Sequence, residues 1–153
     1  MALQDSKSFT WSKPNYIISS DQRLLNIESI RSVLASSISY WTPDTPMNMD
    51  ELTKMLRNSF CLGVYYLTEA SRQITEDEAN RLQSGEDKPL LQVGLARWVT
   101  DYTTFAYLTD VYILPTHERR GLGGWLNRCS DEWLNTLPSL RSIWKSEKLP
   151  KPT

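Results

Sequence analysis

FAYLTDVYILPTHERRGLGGWLNRCSDEWLNTL, residues 105–137, is the stretch whose reading decides the fold. Phe105 to Leu114 is a long apolar run that stops at Pro115, the pattern of a central strand, because proline cannot donate to a strand ladder. Beyond Gly121, residues Leu122, Leu126, Cys129, Trp133 and Leu137 recur at steps of three and four, giving one helical stripe that Pro138 terminates. Strand, glycine turn and helix therefore form one unit. The turn, Pro115 to Gly124, opens a helix N-terminus, whose free backbone N–H groups attract anions. Glycine at 121, 123 and 124 removes side chains where the backbone must curl and approach a ligand. Arg119 and Arg120 add positive charge beside them. The ligand such a turn fits carries phosphate.

Upstream, Tyr16-Ile17-Ile18 is a short β-rich run. Ser20-Asp21 then offers a cap before Ile27, Ile30, Val33 and Leu34, which fall at helical spacing. Tyr40 to Met47 holds two prolines and breaks that helix, while Asn48 and Glu51 have capping-box spacing ahead of Leu52, Met55 and Leu56. Phe60 to Thr68 is aromatic and β-branched, and Leu91 to Val99 alternates through Leu91, Val93 and Leu95, so the two read as neighbouring strands. Between them Glu69 to Pro89 is polar and acidic, an exposed excursion. Asp101 to Thr104 is a turn into the strand that begins at Phe105. Leu140 to Trp144 is long enough for one more strand. The expected fold class is α+β: a mixed, mostly antiparallel central sheet flanked by helices.

With 153 residues and a formal net charge of −1, the chain is sized for one domain and lacks the electrostatic footprint of a nucleic-acid binder. Residues 1–13 read as a disordered N-terminus, 14–144 as the domain and 145–153 as a polar tail. Cys61 and Cys129 have no metal-ligand or disulfide spacing, so no metal site is expected. Neither a signal core nor a bilayer-length apolar stretch is present, which points to the cytoplasm or nucleus and away from a membrane.

The turn by itself does not choose among phosphate ligands. A Walker string is absent, and Gly121, Gly123 and Gly124 give GxGG where a dinucleotide fingerprint needs GxGxxG. The segment does resemble the phosphate loop of the GNAT N-acetyltransferase superfamily, Gln/Arg-x-x-Gly-x-Gly/Ala after a strand that ends in a hydrophobic-x-Pro pattern. Ile113-Leu114-Pro115 and Glu118-Arg119-Arg120-Gly121-Leu122-Gly123 follow that layout, with Glu118 where the family prefers Gln or Arg. The resemblance extends upstream through VGLARWVTDYTTFAYLTDVYILP, covers roughly residues 16 to 144, and is nearest to a small fungal-type branch. It implies acetyl-CoA as co-substrate. The strand edge at Val111, Tyr112 and Ile113 then pairs with the pantetheine arm, and Glu118, Arg119, Arg120, Gly121, Leu122, Gly123 and Gly124 wrap the pyrophosphate. It also implies acetyl transfer to a primary amine of a small molecule or protein.

Such transfer needs a base for the amine. Asp110 is the carboxylate of the cofactor strand, and alternation puts it on a face with Ala106, Leu108 and Leu114, where desolvation favours proton uptake. It is equally readable as a carboxylate tied to a neighbouring strand or helix terminus. His117, in the phosphate loop, reads as solvent-facing. Tyr40 and Trp41 lie in the loop that borders the acceptor site in the superfamily. Relative to that family, the chain is expected to lack the last helix and strands. The expected consequence is an exposed apolar region between Trp133 and Trp144 that favours homodimerisation. The alternative reading is a truncated or degenerate domain that binds CoA weakly or acts by association without catalysis.

Overall fold

The computed structural model of the chain describes residues 8–36, 47–68 and 90–145. Asn15, in the left-handed region at φ 73°, turns Thr10–Lys13 (β1) back onto Tyr16–Ser19 (β2) as a hairpin. Asparagine tolerates this backbone because its short polar side chain bonds locally. Thr10 to Lys13, assigned above to a disordered N-terminus, is thus a strand. Composition alone hides it, because a hairpin partner supplies the hydrogen bonds that its own residues do not advertise.

Asp21 caps a single 3-10 turn at Gln22–Leu24, not the helix itself. The helix Ile27–Ala35 (α1) starts instead at Asn26, whose side chain accepts from the Ser29 N–H. Helix Met49–Arg57 (α2) is capped as its spacing predicts, with Asn48 accepting from the Glu51 N–H at 2.8 Å. Phe60–Leu67 (β3), Leu90–Thr100 (β4) and Phe105–Ile113 (β5) follow. Asp101 folds the β4–β5 turn, its Oδ1 accepting from the N–H groups of Thr103, Thr104 and Phe105. Leu122–Leu134 (α3) and Ser142–Lys145 (β6) complete the described chain. The helix ends at Leu134, after which the Thr136 and Leu137 N–H groups bond back to the Trp133 and Leu134 carbonyls in tighter turns ahead of Pro138.

The strands lie in the order β1-β2-β3-β4-β5-β6, antiparallel throughout except for the parallel pair β5–β6. This is the mixed, mostly antiparallel α+β sheet expected. One face packs on α3 through Leu62, Val64, Trp98, Leu108, Leu126 and Trp133. The other packs on α1 and α2 through Ile30, Leu52, Leu56, Cys61, Leu95 and Tyr112. Two bulges decide which residues face which layer. One is an extra residue at Val93 opposite β3, the other an extra residue at Thr109 opposite β4.

Candidate functional site

The bulge at Thr109 re-aims the end of β5. Arg97 pairs with Asp110 and Trp98 with Leu108, so Thr109 is left over and alternation slips by one. Ala106 and Leu108 face α3, and after the slip Val111 and Ile113 join that side while Tyr112 turns to α1 and α2. Asp110 therefore does not share a face with Ala106 and Leu108, as regular alternation had suggested. It lies beside Arg97, whose Nε donates to Asp110 Oδ2 at 2.6 Å and whose Nη1 donates to Ser59 Oγ at 3.1 Å. Both partners of the ion pair are 12% exposed, so this is a largely enclosed tie between β4 and β5. Burial pushes the adjacent Cys61 thiol up to about 12, with Arg97 pulling down and Asp110 pushing up as smaller causes, so Cys61 is an inert thiol.

Among the described residues, the parallel pairing of β5 with β6 runs from Phe105↔Ser142 to Leu108↔Lys145. From Thr109 to Ile113 that edge of β5 has no described partner strand. Among the described residues Val111, Tyr112 and Ile113 thus stand on a strand edge without a pairing strand, and this edge leads into the turn before α3.

In that turn Pro115–His117 forms a 3-10 turn, Arg119 takes φ 63° and Gly121 takes φ 75°. Two left-handed residues on either side of Arg120 curl the chain back to start α3. Gly121 occupies the N-cap position with no side-chain cap, and no acidic residue sits in the first helical turn. The N–H groups of the first turn are therefore open to an external acceptor. Among the described residues no packing contact calls for glycine at 123 and 124. A Cβ built on Gly123 meets nothing within 4 Å, and one on Gly124 meets only Arg128 Nη1 at 3.5 Å. Glu118, Arg119, Arg120, Gly121, Gly123 and Gly124 are exposed, while Leu122 is buried as the first core residue of α3. The basic groups Arg119, Arg120 and Arg128 lie along this mouth, and Lys13 Nζ reaches the Arg120 carbonyl at 3.4 Å while resting 4.9 Å over the Trp125 ring.

His117 is buried, not solvent-facing. Its Nδ1 lies 2.9 Å from the Tyr16 hydroxyl, and its ring packs edge-on to Tyr16 and tilted against Tyr66. Burial, with Arg120 second, holds its pKa below the ordinary histidine value, so the neutral imidazole is favoured. The Tyr16 hydroxyl also accepts from Arg120 Nη1 at 2.9 Å. Tyr16, Tyr66, Lys13 and Arg97 were not singled out from sequence. The β-rich run Tyr16-Ile17-Ile18 marked Tyr16 as a strand residue, but nothing local tells that its partners lie a hundred positions away. Tyr65 and Tyr112 each bury a hydroxyl with no hydrogen-bond partner among the described residues. Tyr40 and Trp41 lie outside the described residues. Among the described residues no cluster of His, Cys, Asp or Glu is arranged to hold a metal ion, and no helix is long and apolar enough to cross a membrane.

No protein-family model matches the chain. A protein of Gibberella zeae named as an acetyltransferase is 36% identical over 139 residues, spanning 90% of this chain and 75% of that protein. A solved structure from Xanthomonas campestris pv. campestris, named as an acetyltransferase of the GNAT family, has a TM-score of 0.63 at 26% identity, covering 90% of this chain and 78% of that one. A Staphylococcus aureus protein of unknown function shares the fold at a TM-score of 0.57 and 13% identity, over 87% of this chain and 80% of its own.

Proposed function

The chain belongs to the GNAT acetyltransferases, and from that premise we propose that it moves an acetyl group from acetyl-CoA to a primary amine of a small molecule or protein. The observation that carries the acetyl-CoA part is the turn at α3: glycines at 123 and 124 whose missing side chains face open space and leave uncapped N–H groups accessible. Among the described residues nothing occupies the space those missing side chains leave, whereas a pyrophosphate lying against the backbone calls for glycine there. The open edge of β5 at Val111, Tyr112 and Ile113 supports the pantetheine arm by strand-like pairing. Acetyl-CoA supplies a thioester, an acyl group already activated toward a neutral amine.

The chain's own contribution is to bind and orient. The first turn of α3 holds the diphosphate with main-chain N–H groups, and Arg119, Arg120 and Arg128 add charge that salt screens. Asp110 stays a candidate for receiving the amine proton, but its Oδ2 is engaged by Arg97, which favours a structural tie. That tie is also the observation favouring a second reading, in which the chain binds CoA without transferring the acetyl group. The acceptor site bordered by Tyr40 and Trp41, a cytoplasmic location and a homodimer remain parts of the same proposal.

Gly123→Leu is the decisive variant, measured by calorimetric titration with acetyl-CoA. We expect affinity to fall at least tenfold, and an unchanged affinity would remove the phosphate turn from the proposal. Release of free CoA thiol across a panel of amines separates the two readings: tight binding with no release under any amine leaves only the second.

A further inference from the structure

The geometry points to Tyr16 as a positioning residue for the phosphate-binding turn: from β2 it grips both His117 and Arg120 and fixes the Arg120 guanidinium at the mouth of α3. The inference rests on the phosphate-turn reading above and adds a device to it.

Donor bookkeeping sets the direction of the arginine bond, and the histidine tautomer sets the other. Arg120 can only donate, so the Tyr16 oxygen accepts from its Nη1 at 2.9 Å. The Tyr16 O–H is thereby left to donate to His117 Nδ1, also at 2.9 Å, in the neutral tautomer whose Nδ1 is unprotonated. Tyr16 is itself buried, 4% exposed, and its ring packs on Tyr66 and His117, so the hydroxyl is held from below by packing. Arg120, by contrast, is an exposed side chain on a left-handed turn. An exposed arginine ordinarily samples many rotamers, and one clamped to a buried hydroxyl meets its ligand with that entropy already lost. Among the described residues Arg120 is an exposed side chain, so filling the core does not call for the clamp.

Protonation of His117 works against the clamp. Nδ1–H turns into a donor toward the Tyr16 oxygen, the Tyr16 O–H loses its acceptor, and a cation appears beside Arg120. The groups that face the imidazole are Tyr16 from β2, Tyr66 from β3 and Arg120 from the turn, with Lys13 of β1 on the far side at the Arg120 carbonyl. Among the described residues no carboxylate is one of them, so the new charge meets the Arg120 cation. The balance favours release of Arg120 and a weaker hold on phosphate as pH falls through the histidine range.

The test is calorimetric titration of the full chain with CoA, the free thiol, at pH 7.5 and 5.5, together with thermal melts. Tyr16→Phe keeps the ring and removes the hydroxyl, and is expected to weaken CoA binding about fivefold to tenfold while the melting midpoint moves by only a few degrees. In an Arg120→Gln background the same change is expected to have little further effect, because both variants remove one interaction. His117→Asn offers an oxygen near the Nδ1 position without titrating. Wild type and this variant share the ligand's own phosphate titration, so the wild type is expected to lose more affinity than His117→Asn on going to pH 5.5. Equal affinity of Tyr16→Phe and wild type, additive effects in the double variant, or identical pH responses of wild type and His117→Asn would each overturn the clamp while leaving the phosphate turn standing. A wild type with no affinity for millimolar CoA overturns both.

Discussion

Asp110 carries the clearest residue-level expectation. Its partner Arg97 is almost enclosed, so Asp110→Asn leaves a guanidinium short of its counter-charge and is expected to cost about 3 kcal/mol of stability by chemical denaturation. If Asp110 is a tie and not a base, the pH–rate profile of the variant keeps the wild-type shape even as turnover falls. A second expectation concerns Gly63, where an added Cβ lands 2.2 Å from the Tyr65 hydroxyl and 2.5 Å from its ring. Gly63→Ala is expected to destabilise by about 1–3 kcal/mol through overpacking. Tyr65→Phe, which deletes a buried hydroxyl without a partner among the described residues, is expected to be neutral or mildly stabilising in the same melts. The sequence named Asp110 as the carboxylate of interest but put it on the wrong face. Alternation is blind to one extra residue in a strand, and Thr109 has no side-chain feature that announces a bulge.

Among the elements, α3 allows a test in which two readouts move oppositely. Alanine is a better helix former than glycine, and the space around Gly123 is open, so Gly123→Ala is expected to raise stability by about 0.5 kcal/mol. The same methyl group stands where the phosphates approach, so CoA affinity is expected to fall. A variant that is both more stable and tighter-binding would mean the phosphates lie elsewhere. This element and its strand were the most legible part of the chain, because the 3.6-residue stripe from Leu122 to Trp133 and the apolar run from Phe105 to Ile113 are long and unmixed. β1 was not legible, since a four-residue edge strand of mixed burial takes its structure from the hairpin it enters.

The folded molecule as a whole holds several groups in their uncharged forms, which predicts a dome in stability against pH. On the acid side, His117 has a folded pKa below its unfolded value of about 6.5, so its contribution is complete above that pH and is lost as pH falls below it. Asp101, held well below the usual carboxylate range first by its Thr104 hydrogen bond and then by backbone N–H groups, adds a loss as pH falls below about 4. On the alkaline side, burial pushes Cys61 up to about 12 and Cys129 up to about 11, and raises Tyr65 and Tyr112. An unfolded chain releases those protons earlier, so stability is lost as pH rises above about 9. Melting midpoints are therefore expected to be highest near pH 7–8, and a midpoint still rising beyond pH 9.5 would contradict the assignment of these groups as buried and neutral. The fold class was readable because the helical stripe of α3 and the apolar strand runs are long enough to be recognised despite the bulges in β4 and β5. The clamp on His117 was not, because it joins β2 to a turn a hundred residues later through single atoms. The sheet's spatial order also copies its order along the chain, and this has a kinetic consequence. A nascent polypeptide can lay each new strand against the one just placed, needing no gap held open for a later arrival. Only the β1–β2 and β4–β5 pairs close tight loops, whereas pairing β2 with β3 and β3 with β4 closes connections spanning residues 20–59 and 68–89. The expectation is a fast phase that forms the two tight hairpins, with the longer closures and the docking of β6 after α3 as the slower events.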